Sequence, residues 1–376
     1  MSGLYIHIPY CKQKCSYCNF YFTTSLITKD DMMFAIMKEI KDRKKYLSNN
    51  KLSSIYFGGG TPSILNEKEI NLLRDTIQKN YIIDNNTEIT FECNPDDLNL
   101  KKLSVLKKSG INRLSIGVQS FKNEDLKLMN RAHNGDQSIH SIKYAQDSGF
   151  SNISIDLIFS LPNQLLRDWE SNLETAFNLD IQHISSYCLT IEEKTKFSDQ
   201  IKKGKIKELD EKDSLKQFQK LINETKIHDF IQYEISNFSK EGFFSKHNIS
   251  YWTSKEYIGI GPSAHSYNSI SRQWNFSNNV KYISSVSKES IHYEIEYLNK
   301  KEIINEYIIT SLRTMWGLNL DYLKSLLKNI HYNEFMNVAK KWTNSSHMIK
   351  KGNLLLLTDK GKFISNKILS SLLLID

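Results

Sequence analysis

The chain has 376 residues, enough for a large core or two domains, and a 40% hydrophobic content arranged in regular apolar segments marks it as globular. Lys and Arg number 50 against 42 Asp and Glu, a net charge of +8, but the lysines are spread along the chain and form no basic arm, so no nucleic-acid partner is expected. Five cysteines, three of them clustered, exclude a disulfide framework and point to a reducing compartment.

No apolar stretch approaches the roughly eighteen residues of a membrane-spanning helix. Met1–Tyr5 runs straight into the first strand, which leaves no room for a signal peptide. A soluble, cytoplasmic protein is expected, not integral to the membrane.

The first strand, Leu4–Ile8, is stopped by Pro9. Directly behind it stand Cys11, Cys15 and Cys18, a C-x3-C-x2-C triplet in one short loop. Three thiolates so close repel one another, and a metal centre that neutralises them is the natural reading. Structural zinc wants four closed ligands, and no second cysteine pair occurs; a zinc site would have to borrow a residue such as His7. A four-iron cluster on three cysteines leaves one iron open. That pattern resembles the radical S-adenosylmethionine (SAM) superfamily, whose open iron takes the amino and carboxylate groups of SAM. Tyr17, just before the third cysteine, fits the same superfamily.

The pattern continues with a helix over Asp30–Leu47, strand Ser54–Phe57, helix Asn66–Asn80, strand Thr87–Cys93 and helix Leu100–Ser109. Strand Asn112–Val118, helical material over Glu124–Ser148, strand Asn152–Phe159, helix Leu165–Asn178, strand Ile184–Leu189 and helix Asp213–His228 complete six β/α units. Such a succession implies a parallel sheet with helices outside it. Six units are too few for a closed eight-unit barrel, and an open (β/α)6 partial TIM-type barrel fits. Sites in such sheets lie where strands end, as the cysteine loop does. Gly58–Gly60, Glu92, Gln119 and Asp156 sit on or after later strands, and Arg131 falls in the next helical stretch. Singly, each is more often a turn or salt-bridge residue than a ligand. Together they describe a polar pocket for a zwitterionic cofactor.

From about Gln232 the rhythm changes, and a boundary is expected between a core domain, residues 1–235, and a smaller α+β domain, residues 236–376. Helices over Glu302–Met315 and Leu320–Leu327, a hairpin near Ile349–Leu357 and a helix after Asp359 read as a winged-helix-like unit. Its closing helix carries few basic residues, which favours a packing or partner surface over DNA.

Tyr-Ile-His-Ile-Pro-Tyr-Cys-x3-Cys-x-Tyr-Cys, Phe-Gly-Gly-Gly-Thr-Pro-Ser and Tyr-Glu-Ile-Ser-Asn-Phe together resemble the oxygen-independent coproporphyrinogen dehydrogenase family, over nearly the whole chain. Within it they resemble the shorter HemW-type branch of haem chaperones. The resemblance implies a [4Fe-4S] cluster on Cys11, Cys15 and Cys18. It implies SAM contacts at Tyr5, the Tyr17 backbone, Gly59, Gly60, Thr61, Glu92, Gln119, Arg131 and Asp156. The dehydrogenase pattern has a further cysteine where Phe20 stands, and an N-terminal extension that this chain does not show. His247-Asn248-x2-Tyr251-Trp252 instead matches the H-N-x-x-Y-W motif tied to haem binding in the chaperone branch. Imidazole is a common axial ligand, and Tyr and Trp offer flat faces to a porphyrin. His265 is the competing ligand, while Cys93 and Cys188 are expected as buried small residues. The function implied is a haem chaperone that hands haem to an acceptor, possibly a respiratory protein. The alternative is a radical enzyme that decarboxylates coproporphyrinogen III to protoporphyrinogen IX. A radical enzyme acting on RNA has only the net charge in its favour.

Overall fold

The computed structural model describes residues 2–374. Six strands form its centre: β1 (Ser2–Ile8), β2 (Leu52–Gly59), β3 (Glu88–Cys93), β4 (Arg113–Gln119), β5 (Ile153–Phe159) and β6 (His183–Cys188). Each pairs in parallel with the next. The alternation of residue types along these strands decides the two faces. Leu4, Ile6, Ile8, Ile55, Phe57, Phe91, Ile116 and Ile155 belong to the main apolar core beneath the helices. The intervening positions are polar: Tyr5 and His7, Ser54 and Tyr56, Glu88 and Glu92, Arg113 and Ser115, Ser154 and Asp156, His183 and Ser185. Several of them bond from strand to strand, with Tyr56–Glu92 at 2.8 Å, Ser115–Asp156 at 3.3 Å and Ser154–His183 at 2.7 Å. The sheet is thus a partial barrel with a dry, apolar outside and a polar inside.

Helices Lys29–Asp42, Glu67–Asn80, Leu100–Lys108, Gly135–Asp147, Leu166–Phe177 and Glu211–Ile227 return the chain behind successive strands. Asn66, Asn99, Asn134 and Asp210 start four of them by accepting the backbone N–H of the third helical residue. Two expectations need correction. The first helix stops at Asp42 rather than Leu47; Arg43 is its C-cap and sets its guanidinium on Glu39 and across to Gln273. The stretch Glu124–Ser148 is two helices, Asn123–Leu128 and Gly135–Asp147, broken where Asn130 takes a φ of 56° and Asn134 caps the second. Arg131 lies in the break, not on a helix.

The sheet continues beyond the six units on both sides. β7 (Ile231–Gln232) and β8 (Asn237–Ser239) extend it antiparallel beyond β6. β9 (Tyr257–Ile260) pairs in parallel with β1, and β10 (His265–Tyr267), β11 (Ser271–Asn275) and β12 (Tyr293–Tyr297) follow antiparallel. The boundary expected at 235/236 falls between β7 and β8, which pair with each other. A second apolar core, with Ile304, Ile308, Leu323, Phe335, Leu355 and Ile368, begins only after β12. Around it run helix Lys300–Leu312, β13 (Leu318–Asn319), helices Leu320–Leu326 and Asn329–Asn344, and the hairpin of β14 (Met348–Lys351) and β15 (Leu354–Leu357). Helix Asn329–Asn344 was not expected from the sequence; only Phe335 and Ala339 are buried along it, so its apolar stripe is thin. No helix among the described residues is long and apolar enough to cross a membrane.

Candidate cluster and cofactor site

The cysteine loop leaves the C-terminal end of β1 and is tied down at both ends. Cys11 N–H donates to Thr23 O and Thr23 N–H to Pro9 O, at 3.0 and 2.9 Å. Ser16 N–H reaches Met129 O at 2.9 Å, and Asn130 Nδ2 reaches Lys14 O at 2.8 Å, which fixes the loop against the helix break after β4. Its three thiols open on one cavity of about 660 Å³.

Tyr17, Gly59, Gly60, Thr61, Glu92, Gln119, Arg131 and Asp156 line that same cavity. Thr61 Oγ1 donates to the Cys11 sulfur at 3.4 Å, and Arg131 Nη1 to the Cys15 sulfur at 3.2 Å. Gly59 has a φ of +107°, and a Cβ there would lie 2.7 Å from the His7 ring; at Gly60 it would lie 2.6 Å from Tyr10 O. Only glycine lets the end of β2 pass so close to β1 and the residues that follow it. Gln119 takes a φ of 66° at the end of β4, a cost an ordinary strand end does not bear.

Burial pushes the Cys11 thiol up to about 12, and the adjacent Cys15 and Cys18 add to it while Thr61 and Arg131 oppose. Burial likewise raises Cys18. Positive iron would reverse both effects and hold the sulfurs as thiolates. Glu92 is raised to about 8, first by burial, with Tyr56 opposing and Asp156 adding. Asp156 is raised to about 6 by burial, against hydrogen bonds from Ser185 and Ser115.

The residues fit an iron–sulfur cluster beside a polar ligand. Three soft sulfurs share one wall, and Arg131 Nε is buried without a partner, a donor left for a bound acceptor. Zinc fits less well. Among the described residues no three of His, Cys, Asp and Glu gather as around a single ion. His7, the ligand such a site would borrow, has both ring nitrogens bonded, to Tyr5 OH at 3.1 Å and Tyr21 O at 2.9 Å.

Several residues stand elsewhere. Tyr5 is beneath the cavity, stacked with Tyr56 at 6.1 Å, and is not on its wall. His247 is buried at the opposite end of the barrel on helix Lys246–Trp252, bonded through Nδ1 to Ser54 Oγ at 3.1 Å and through Nε2 to Tyr251 OH at 2.8 Å. Burial lowers it to about 3, so the ring is neutral. Asn248, in the first turn of the same helix, donates its backbone N–H to Ser245 Oγ at 3.2 Å. Tyr251 and Trp252 border a cavity of about 200 Å³, below the roughly 300 Å³ at which ligand pockets begin. His265 stacks on Trp274 at 6.3 Å in the antiparallel extension. Cys188, expected to be buried, is exposed and lines the cluster cavity: the last two residues of β6 still pair with β5 but run past the end of β8, which covers only His183–Ser185; Cys93 is buried. Asn94, Ser115, Gly117 and Tyr187 also line the cavity and were not singled out. Ser115 and Gly117 lie on the polar alternation of β4 below Gln119, the signal that could have found them.

A partial parallel barrel with a three-cysteine loop at the end of its first strand defines a radical SAM protein. Residues 5–176 match the family model described as the Radical SAM superfamily, whose members use a [4Fe-4S] cluster and SAM. The heme chaperone HemW of Bacillus subtilis (strain 168) is 33% identical over 377 residues, covering 99% of each chain. That of Lactococcus lactis subsp. lactis (strain IL1403) is 31% identical over 375 residues, covering 100% of this chain and 98% of the relative. The chain belongs to the HemW heme chaperone family. Among solved structures, the coproporphyrinogen III oxidase HemN from Escherichia coli, described as a radical SAM enzyme, superposes with a TM-score of 0.86. It covers 98% of this chain and 89% of that one at 22% identity, a likeness of fold.

Proposed function

We propose that this protein binds haem and passes it to an acceptor protein, with a [4Fe-4S] cluster on Cys11, Cys15 and Cys18 and SAM in the adjoining cavity. The observation that carries the reading is the full-length similarity to heme chaperones. The cavity supports the cofactor half, since it gathers the three thiols with Glu92, Gln119, Arg131 and Asp156. Cluster and SAM, when bound, supply the redox chemistry of the site. The residues of the chain hold them: Gly59 and Gly60 line the wall, Arg131 offers its unused Nε, and Glu92 and Asp156 accept from hydroxyls or amines.

Haem contact by His247, Asn248, Tyr251 and Trp252 requires the imidazole to give up Ser54 or Tyr251, because both ring nitrogens are engaged, and the cavity that Tyr251 and Trp252 border holds only about 200 Å³. Phe20 stands 71% exposed beside the cluster loop where the dehydrogenase pattern has cysteine. Anaerobically reconstituted protein, assayed in parallel for haem binding by its Soret band and for coproporphyrinogen III turnover, tests the proposal. Haem binding and transfer without decarboxylation is the expected result. Turnover to protoporphyrinogen IX would replace the chaperone reading with the enzyme.

A further inference from the structure

Helix Lys246–Trp252 is anchored where the barrel strands begin. Glu88, the first residue of β3, accepts the backbone N–H groups of Lys246 and His247, both at 3.1 Å, and the Ser245 hydroxyl at 3.4 Å. Its carboxylate therefore caps the helix from inside the barrel. A Cβ at Gly3 on β1 would crowd Ser54 Oγ, the imidazole's partner, at 3.3 Å, while meeting His247 Nδ1 only in ordinary contact at 3.7 Å.

From that floor a column of side chains climbs to the cofactor cavity. The His247 ring stacks on Tyr56 with centroids 4.7 Å apart and planes 22° from parallel. Tyr5 joins the pile at 6.2 Å from the imidazole. Tyr56 donates its hydroxyl to Glu92 Oε1 at 2.8 Å, and Glu92 lines the cavity. Gly58 shows how tight the column is, since a Cβ there would meet Tyr56 at 2.9 Å and Glu92 and Tyr5 at 3.0 Å. Close-packed groups of this kind have no slack, so a displaced imidazole moves the Tyr56 ring and with it the carboxylate.

We propose that His247 and Tyr56 are positioning residues of the cofactor cavity, so that SAM binding at one end of the barrel depends on how the H-N-x-x-Y-W helix is docked at the other. A second consequence rests on the haem-chaperone reading. An iron can take the imidazole only after the ring gives up Ser54 or Tyr251, which removes the support under Tyr56. Haem at His247 and SAM beside Glu92 then oppose each other, and linkage makes the opposition equal in both directions.

The test uses full-length, cluster-reconstituted protein, with equilibrium binding of labelled SAM and haem titration on the same samples. Tyr56→Phe removes one oxygen and keeps the ring; SAM affinity should fall about fivefold to tenfold, the scale of one neutral hydrogen bond. His247→Ala should weaken SAM about threefold to fivefold, a coupling typical of residues in contact. His247→Phe keeps the stack but cannot bind iron. It should return SAM affinity to within about twofold of the parent while haem binding stays as weak as in the alanine variant. SAM affinities unchanged in both Tyr56→Phe and His247→Ala would overturn the positioning role. In the parent protein, saturating haem should weaken SAM at least about threefold; no change would overturn the opposition. If the parent binds no haem, the chaperone reading fails, and the SAM measurements still decide the positioning role.

Discussion

Arg131 donates from Nη1 to the sulfur of Cys15 at 3.2 Å while its Nη2 holds Asn94 Oδ1 at 2.7 Å and the Gly117 carbonyl at 2.8 Å. One guanidinium thus ties the cysteine loop to the ends of β3 and β4. It can do so because it sits in the break between two helices, where its backbone is free of helical geometry. The planar guanidinium spreads its donors from Nη1 on the sulfur to Nη2 on the two oxygens, a span that a lysine's single nitrogen does not reproduce.

Arg131→Lys therefore keeps the charge and loses the geometry. SAM affinity is expected to fall at least about tenfold, or about 1.4 kcal/mol, while iron content stays at the parent level because all three thiols remain. Equilibrium SAM binding on reconstituted protein measures it. Affinity within twofold of the parent would remove Arg131 from the site.

The cysteines make a sharper division. Anaerobic reconstitution is expected to load close to four irons, as a [4Fe-4S] cluster requires. Ser at position 11, 15 or 18 should abolish the chromophore, since hard oxygen replaces soft sulfur poorly. Cys93→Ser and Cys188→Ser should leave iron and sulfide content intact, although both residues line the same cavity. Zinc in the purified protein with no uptake of iron would refute the assignment.

Glu92 gives the apo protein a recognisable pH dependence. Its folded value, about 8, lies above the ordinary 4.5, so between those values the folded state holds a proton that the unfolded state has lost. The contribution of this group to stability is fully present below about 4.5 and is lost as pH rises towards 8. Asp156, raised to about 6, acts in the same direction over a narrower window. Glu92→Gln should flatten the decline in Tm between pH 5 and pH 8. Parallel curves for the two proteins would mean that Glu92 is ionised throughout.

Much of this was legible in the sequence because a partial barrel writes its two faces as alternation. Leu4, Ile6 and Ile8 against Tyr5 and His7 mark the outside and inside of β1 by residue type alone. The strand-end residues of the cavity followed from the rule that sites collect where parallel strands finish. Two things were hidden. β9–β12 are strands of three to five residues, too short for a period to show, and β9 pairs with a partner some 250 positions away. The H-N-x-x-Y-W motif named its residues but not their direction. His247 and Tyr251 are four apart and share a helix face, and that face looks into the barrel, where the two bond to each other.

One buried carboxylate on the first helix bonds the antiparallel extension beyond β1 at several points. Glu39, on helix Lys29–Asp42, receives Arg43 Nη1 at 2.7 Å, Asn275 Nδ2 at 2.8 Å, the Gly261 N–H at 2.9 Å and the Tyr282 hydroxyl, and it pairs with His292 at 3.0 Å. Burial alone would raise its pKa, but the His292 hydrogen bond, Arg43 and Tyr282 outweigh it and bring the group to about 2. A depressed carboxylate stabilises the fold above its unfolded value, and that contribution is lost as pH falls from about 4.5 to about 2. Glu39→Ala strands Arg43 in the interior and should cost about 3–5 kcal/mol. Glu39→Gln keeps the shape and some of the hydrogen bonds and should cost less. Because the partners come from β11 and the segments either side of it, the loss should show first as hydrogen exchange at Gly261 and Asn275, with the amides of β3–β5 still protected. Denaturant melts and exchange on the two variants measure both. Equal protection at β4 and β11 in Glu39→Ala would mean that the added strands do not hang on this carboxylate.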